Sequence, residues 1–201
     1  MRLVSDTGGG RAPISAGQGF TLIELMVVLA VLAIALTVAV PSFTTLIRNN
    51  QLLSAHYDLR GLLGTARSEA IAQRAFVTVC ASEDGAGCSG SWEDGVIAFV
   101  DFDGDGTVDT GGGGADDLLF LVESADYQGL TVTLTGGRTS LRFDPRGSAL
   151  GNDGTYVFCD VRGVESARGL NVLPAGQLRS LVDEDGDDIV NLPGDDNVTC
   201  P

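Results

Sequence analysis

Four groups of residues in this 201-residue sequence are of types that do chemistry. The stretch DFDGDGTVD, Asp101 to Asp109, sets acids at alternating positions among glycines. Such spacing lets a tight loop aim several oxygens at one hard cation. Asp101, Asp103, Asp105 and Asp109 are then the side-chain candidates for calcium, and Thr107 offers its carbonyl. A solvated Gly/Asp turn between strands uses the same residues equally well. The acid that usually closes such a loop is missing, because Gly112 stands there and Asp116 or Asp117 would have to substitute. A second cluster, DEDGDD from Asp183 to Asp188, reads as a solvated tail or hairpin tip without the alternating spacing.

Cys80, Cys88, Cys159 and Cys200 are even in number and none is spaced as CxxC, so disulfides are expected rather than a zinc site. Of the three pairings, Cys80–Cys88 across a Gly-rich loop with Cys159–Cys200 tying down the tail is preferred. Closing the longer loop contributes about 3–4 kcal/mol in the entropic description of disulfides. The one histidine, His56, falls on a predicted helix, and Trp92 reads as a core or loop anchor. No GxSxG, HExxH, Walker A or GxGxxG pattern occurs in suitable context, so no catalytic residue is assigned and an enzyme is not expected. No cofactor is required; calcium is the single candidate.

Glu24 is the fourth group. It lies near the start of an apolar run, Phe20 to Val40, interrupted only by Thr21, Glu24 and Thr37. An ionisable group there costs about 2–3 kcal/mol or more unless it is paired. As a helix the run spans roughly 30 Å, enough for the hydrocarbon core of a membrane. A polar leader, MRLVSDTGGGRAPISAGQG, precedes it. An ordinary secretory signal is cut after its apolar region; here the candidate cut lies before it, at Gly19–Phe20. The new amine at Phe20 would sit one helical turn before Glu24, free to pair with it in the same chain or a neighbouring one. Taken alone, Glu24 is as well explained by a carboxylate reaching back to water.

These residues need elements to hold them. Pro41 ends the apolar run and kinks or opens the helix. Helical spacing resumes with Phe43, Leu46, Ile47, Leu53, Tyr57, Leu62, Leu63, Ala66 and Ala70. One helix, bent near Pro41, is therefore expected from Phe20 to about Gln73, on the order of 80 Å long. Gly61 and Gly64 each weaken it by roughly 1 kcal/mol relative to Ala, for which close packing is the expected reason. From Ala75 the period changes to eight short β-rich runs, AFVTVCA, GVIAFVD, LLFLVE, LTVTLT, TSLRFD, TYVFCD, GLNVLP and QLRSLV, separated by Gly, Asp, Asn or Pro. The expected fold is α+β: a long N-terminal helix packed on a small antiparallel sheet or sandwich. The expected order is a leader (1–19), a membrane helix (20–41), its amphipathic continuation (42–74), a β-rich domain (75–179) and an acidic extension (180–201).

The formal charge is −15, which repels polyanions and argues against a general nucleic-acid binder. All 12 basic residues are Arg, a bias put down to genomic base composition. None lies between Ala75 and Gly137, whereas Arg138, Arg142, Arg146, Arg162, Arg168 and Arg179 follow together. Two polar regions of opposite sign are thus available to neighbours.

The stretch GFTLIELMVVLAVLAIALTVAVPSF, Gly19 to Phe43, resembles the signal of type IV pilins and type II secretion pseudopilins: Gly before the cut, Phe after it, Glu at the fifth mature position, then an apolar helix. The resemblance implies cleavage after Gly19 by a prepilin peptidase and N-methylation of Phe20. It also implies that the helix, with Glu24 and Pro41, packs against other pilins or pseudopilins on an inner-membrane assembly platform, the C-terminal domain lying in the periplasm. Downstream, ARSEAIAQRAFVTVCASEDGAGCSGSWEDGVIAFVDFDGDGTVD, FDPRG and TYVFCDVRG resemble the GspH/FimT group of minor pilins and pseudopilins. That resemblance reaches about Arg179 and implies a subunit at the tip of a secretion pseudopilus or a type IV pilus. Some FimT-like members carry a Gly-Arg-x-Arg motif for DNA uptake; Gly176-Gln177-Leu178-Arg179 keeps half of it. Arg162, Arg168 and Arg179 are then candidates for DNA contact or, more simply, subunit contact, and nucleic acid is not the expected partner.

Overall fold

A computed structural model of the chain describes residues 19–109, 116–123, 129–149, 151–194 and 196–201. Residues 1–18 of the expected 1–19 leader, and Gly112 of the Asp loop, lie outside them. The chain divides into two compact units, Met1–Thr44 and Thr45–Pro201. Helix α1, Leu22–Gln73, contributes its 52 residues to both.

In the first unit α1 starts two residues later than the sequence places it, because Thr21 caps it. The Thr21 hydroxyl accepts the Glu24 N–H at 3.2 Å, and Thr-x-x-Glu is a capping-box sequence. The large apolar side chains from Phe20 to Val40 are exposed. Among the described residues α1 is the one helix long and apolar enough to cross a membrane. It runs on through Pro41, where the Thr44 hydroxyl donates to the Pro41 carbonyl at 2.8 Å.

In the second unit α1 buries Leu52, Ala55, His56, Leu59, Leu62, Leu63, Ala66 and Ala70, spaced by three and four, and so presents one face to the sheets. It ends at Arg74, which takes a left-handed φ of 54° and turns the chain directly into the first strand. Gly or Asn usually fills that place, so the stop lacks the usual cap residue and is marked by the change of period at Ala75. Close packing does not explain Gly61 and Gly64, contrary to expectation. A Cβ added at either would meet nothing within 4 Å.

Eight strands follow: β1 Phe76–Ala81, β2 Val96–Asp101, β3 Leu118–Glu123, β4 Leu130–Leu134, β5 Ser140–Phe143, β6 Gly154–Asp160, β7 Arg168–Val172 and β8 Leu178–Ser180. They form two antiparallel sheets, β3-β2-β1-β5 (sheet A) and β4-β6-β7-β8 (sheet B). One core joins the helix to both, with Leu63, Val77, Leu134, Phe143, Tyr156 and Leu170 among its members. Fully burying a side chain of this size contributes about 1.5–3 kcal/mol. Trp92 is buried with its ring edge-on to Tyr156, and its indole N–H donates to the Arg138 carbonyl at 3.0 Å.

Strand alternation sends the intervening residues to the opposite faces, and these are covered too. On sheet A, Cys80, Ile97 and Phe99 pack under Val108 of the Asp loop and Leu119. On sheet B, Val157 and Cys159 pack with Val198, Ile189, Val190 and Leu192 of the C-terminal segment. The residues after Ser180 are therefore more than a solvated extension: they build a small second core, and the acids of 183–188 stay outside it.

Candidate functional site

Two places gather the residues singled out above. At the helix start, Gly19, Phe20 and Thr21 precede the first turn and Phe20 is exposed. The Gly19–Phe20 peptide is thus extrahelical backbone, and Glu24 is the acid of the first helical turn. A carboxylate there is favoured by the helix dipole, a local reason for Glu24 that the Thr21-to-Glu24 spacing could have revealed.

The second place is the loop after β2. Asp101, at the strand end, is fully buried. One carboxylate oxygen accepts the Gly104 N–H (2.6 Å), and the other accepts the Gly106 N–H (3.0 Å) and the Thr78 hydroxyl (2.8 Å). Asp103 accepts the Asp105 N–H (3.1 Å), and Asp105 accepts the Thr107 N–H and hydroxyl, both at 2.7 Å. Gly104 and Gly106 hold φ of 76° and 83°, a region costly for side chains. Asp101, Asp103 and Asp105 each bring a carboxylate oxygen within 4.8 Å of the others. Of the two substitutes for the missing closing acid, Asp117 returns to the loop. It accepts the Phe102 and Asp109 N–H groups, both at 3.1 Å.

The electrostatics are mixed. Arg142 lies 3.9 Å from Asp101 and donates to the Gly104 carbonyl, bringing one fixed cation to the loop. Hydrogen bonds from Thr107 hold the Asp105 carboxyl below its usual range. Desolvation, then the charges of Asp105, Asp103, Asp117 and Asp101, push Asp109 up. A divalent cation would relieve that crowding.

The cluster at 183–188 is exposed, as a solvated tip should be, but its spacing departs from the expected one. Asp183, Asp185 and Asp187 do alternate, and their carboxylate oxygens also lie within 4.8 Å of one another. Asp183 accepts the Gly186 and Asp188 N–H groups at 2.7 and 3.0 Å, as Asp101 does those of Gly104 and Gly106. Asp188 takes the left-handed φ, 66°, in place of Gly106. The ninth position is Asn191, buried, accepting the Glu184 N–H and donating to Asn197.

Disulfides join Cys80 to Cys88 and Cys159 to Cys200. The first lies beside the Asp loop, since Cys80 packs with Val108; the second ties the tail to the outer face of sheet B. The three arginines have different immediate partners. Arg162 is committed to Asp160 at 2.6 Å and to Asn49 at 2.7 Å. Arg168 lies at the start of β7, and Arg179, on β8, lines a groove with Arg60.

Two family profiles match the sequence: type II transport protein GspH over residues 57–176 and the prokaryotic N-terminal methylation motif over 15–40. No curated protein matches it. Among solved structures, the chain is similar to the type IV minor pilin FimU of Pseudomonas aeruginosa in two crystal forms, at 22% identity in each. In space group P21 the TM-score is 0.49, with 65% of this chain and 88% of the other covered. In P65 it is 0.47, with 64% and 91% covered.

Proposed function

This chain belongs to the type II transport protein GspH family, and we propose that it works as a minor pilin or pseudopilin at the tip of a type II secretion pseudopilus or a type IV pilus. The observation that carries the proposal is the helix start. An exposed Gly19–Phe20 peptide precedes an apolar helix with an acid in its first turn, inside the stretch matched by the N-terminal methylation motif. Prepilin peptidase cuts after Gly19, the Phe20 amine is methylated, and the domain from Thr45 onward faces the periplasm. In the filament Glu24 neutralises the amine of a neighbouring subunit, for which the low dielectric of a helical bundle gives a strong reason.

The test has two parts. Mass spectrometry of the protein from membranes should find N-methylated Phe20 at the mature terminus. Glu24→Ala should leave the precursor in the membrane but sharply reduce its co-purification with filaments; undiminished incorporation would sink the role given to Glu24. Capture of DNA is the lesser alternative, since Arg162 is already neutralised by Asp160 and the net charge opposes it.

The Asp101–Asp109 loop is proposed to bind calcium. Asp101, Asp103, Asp105 and Asp109 supply carboxylates, Asp101 also shaping the backbone through Gly104 and Gly106, and Thr107 supplies its carbonyl. The carboxylate oxygens of Asp101, Asp103 and Asp105, gathered within 4.8 Å of one another, support this reading.

A further inference from the structure

Strand β8 opens into a groove whose chemistry none of this uses. It is the edge strand of sheet B, with Asn171 opposite Arg179 and Val172 opposite Leu178. The bonds that flank this ladder run from the Leu173 N–H to the Gln177 carbonyl and from the Leu181 N–H to the Gly169 carbonyl, both 2.9 Å. Main-chain groups alternate sides along an antiparallel strand. Gln177, Arg179 and Leu181 therefore turn theirs toward β7, and Leu178, Ser180 and Val182 turn theirs outward. The tail uses the last of these, for the Asn191 N–H donates to the Val182 carbonyl at 3.0 Å. Continued pairing would bring residue 193 opposite Ser180, and residue 193 is a proline with no N–H to give. The outward groups of Leu178 and Ser180 are left on the wall of a groove of about 630 Å³, a volume typical of ligand sites.

The groove is cationic in a protein of net charge −15. Arg60 donates to the Ser180 hydroxyl at 3.1 Å, which holds a guanidinium beside the free edge. Arg179 lines the groove from the opposite face of β8, and Leu173, Leu178, Leu192 and one acid, Glu184, line it too. An adjoining hollow along α1 adds Arg67, held by the Gly147 and Ala175 carbonyls at 2.8 and 3.1 Å. Free main-chain groups at a sheet edge, apolar side chains and flanking guanidiniums are the components of strand addition by an acidic segment.

We propose that this groove receives an extended, carboxylate-bearing segment of a partner protein, which adds to β8 as a fifth strand of sheet B. Ser180 and Leu178 exchange main-chain hydrogen bonds with it, and Arg60 and Arg179 pair with its acids. The proposal does not rest on the filament reading, because it requires only the edge and its charges.

The probe is a fluorescent, end-capped heptapeptide alternating Val and Glu, titrated by anisotropy into the detergent-solubilised full chain. Saturable one-to-one binding is expected, weakened at least about tenfold by Arg179→Glu, about 1.4 kcal/mol, and by N-methylation of alternate peptide amides. Ser180→Pro, which removes an outward N–H together with the hydroxyl that holds Arg60, should weaken it at least as much. Because the N-methylated peptide leaves the protein untouched, it decides the matter even where a variant fails to fold. The proposal is overturned if the Val-Glu peptide does not saturate, if a Val-Lys peptide binds as well, or if N-methylation has no effect. Displacement by duplex DNA at sub-stoichiometric amounts would assign the groove to a polyanion and overturn it as well.

Discussion

His56 lies on the buried face of α1, its ring edge-on to Phe158 at 5.6 Å between centroids and to Tyr57 at 5.4 Å. Its Nδ1 has no hydrogen-bond partner. Burial lowers its pKa below 6.5; the Gly169 backbone opposes that shift, and the charges of Arg60 and Arg168 reinforce it. The folded protein therefore binds this proton less readily than the unfolded chain. Stability from the neutral ring is complete above about pH 6.5 and is lost as pH falls from there through the folded value, by at most about 1.4 kcal/mol per pH unit. The melting temperature of the wild type should fall between pH 7.5 and 5.5, and His56→Gln should flatten that fall. Equal slopes would show that another group titrates. The sequence placed His56 on a helix face correctly, but its burial depends on Phe158 and Gly169, about a hundred residues away, which no local spacing reveals.

At the scale of elements, all eight strand runs and the end of α1 near Gln73 were legible, since period-2 runs broken by Gly and Asp are local signals. The order of the strands was not. β5 returns to lie beside β1 while β4 joins the other sheet, a result of shared burial rather than of any turn. The covering of sheet B by the C-terminal segment was hidden for a similar reason: Val190, Leu192 and Val198 are scattered among acids and read as a polar tail. The Cys159–Cys200 bond spans 41 residues and Cys80–Cys88 spans 8. In the loop-entropy description the first contributes about 4 kcal/mol and the second about 2–3 kcal/mol. Replacing Cys159 and Cys200 by Ser should therefore lower stability more than replacing Cys80 and Cys88, as read by denaturant melts. It should also raise hydrogen exchange at Val190 and Val198 before the sheets open. The reverse ranking would mean that the tail's apolar contacts hold it without the bond.

For the molecule as a whole, the proposed calcium site hangs on sheet A and the second acidic loop on the tail of sheet B. Millimolar calcium should raise the melting temperature of the soluble part by a few degrees, a gain of about 1 kcal/mol. Asp103→Asn with Asp105→Asn should remove that gain. Asp101 is left in place because its bonds to Thr78, Gly104 and Gly106 shape the loop. No binding heat in calorimetry and no thermal shift would end the calcium proposal. The acids of the first loop were readable from DFDGDGTVD alone. Asp117 was readable as one of two substitutes for the closing acid, but the approach of Arg142 from β5 was not, since it depends on β5 pairing with β1.

The two acidic loops share one backbone course although their settings differ. Asp101 is sealed beneath Thr78, whereas Asp183 is open to solvent, yet each gathers the N–H groups three and five residues ahead of it. The pattern is therefore set largely within each segment, with Thr78, Asp117 and Arg142 adding support to the first. Such a segment is a portable part. Exchanging the two segments between their strand exits should leave each hydrogen-bond pattern in place, as amide exchange at the third and fifth residues after the leading Asp would show.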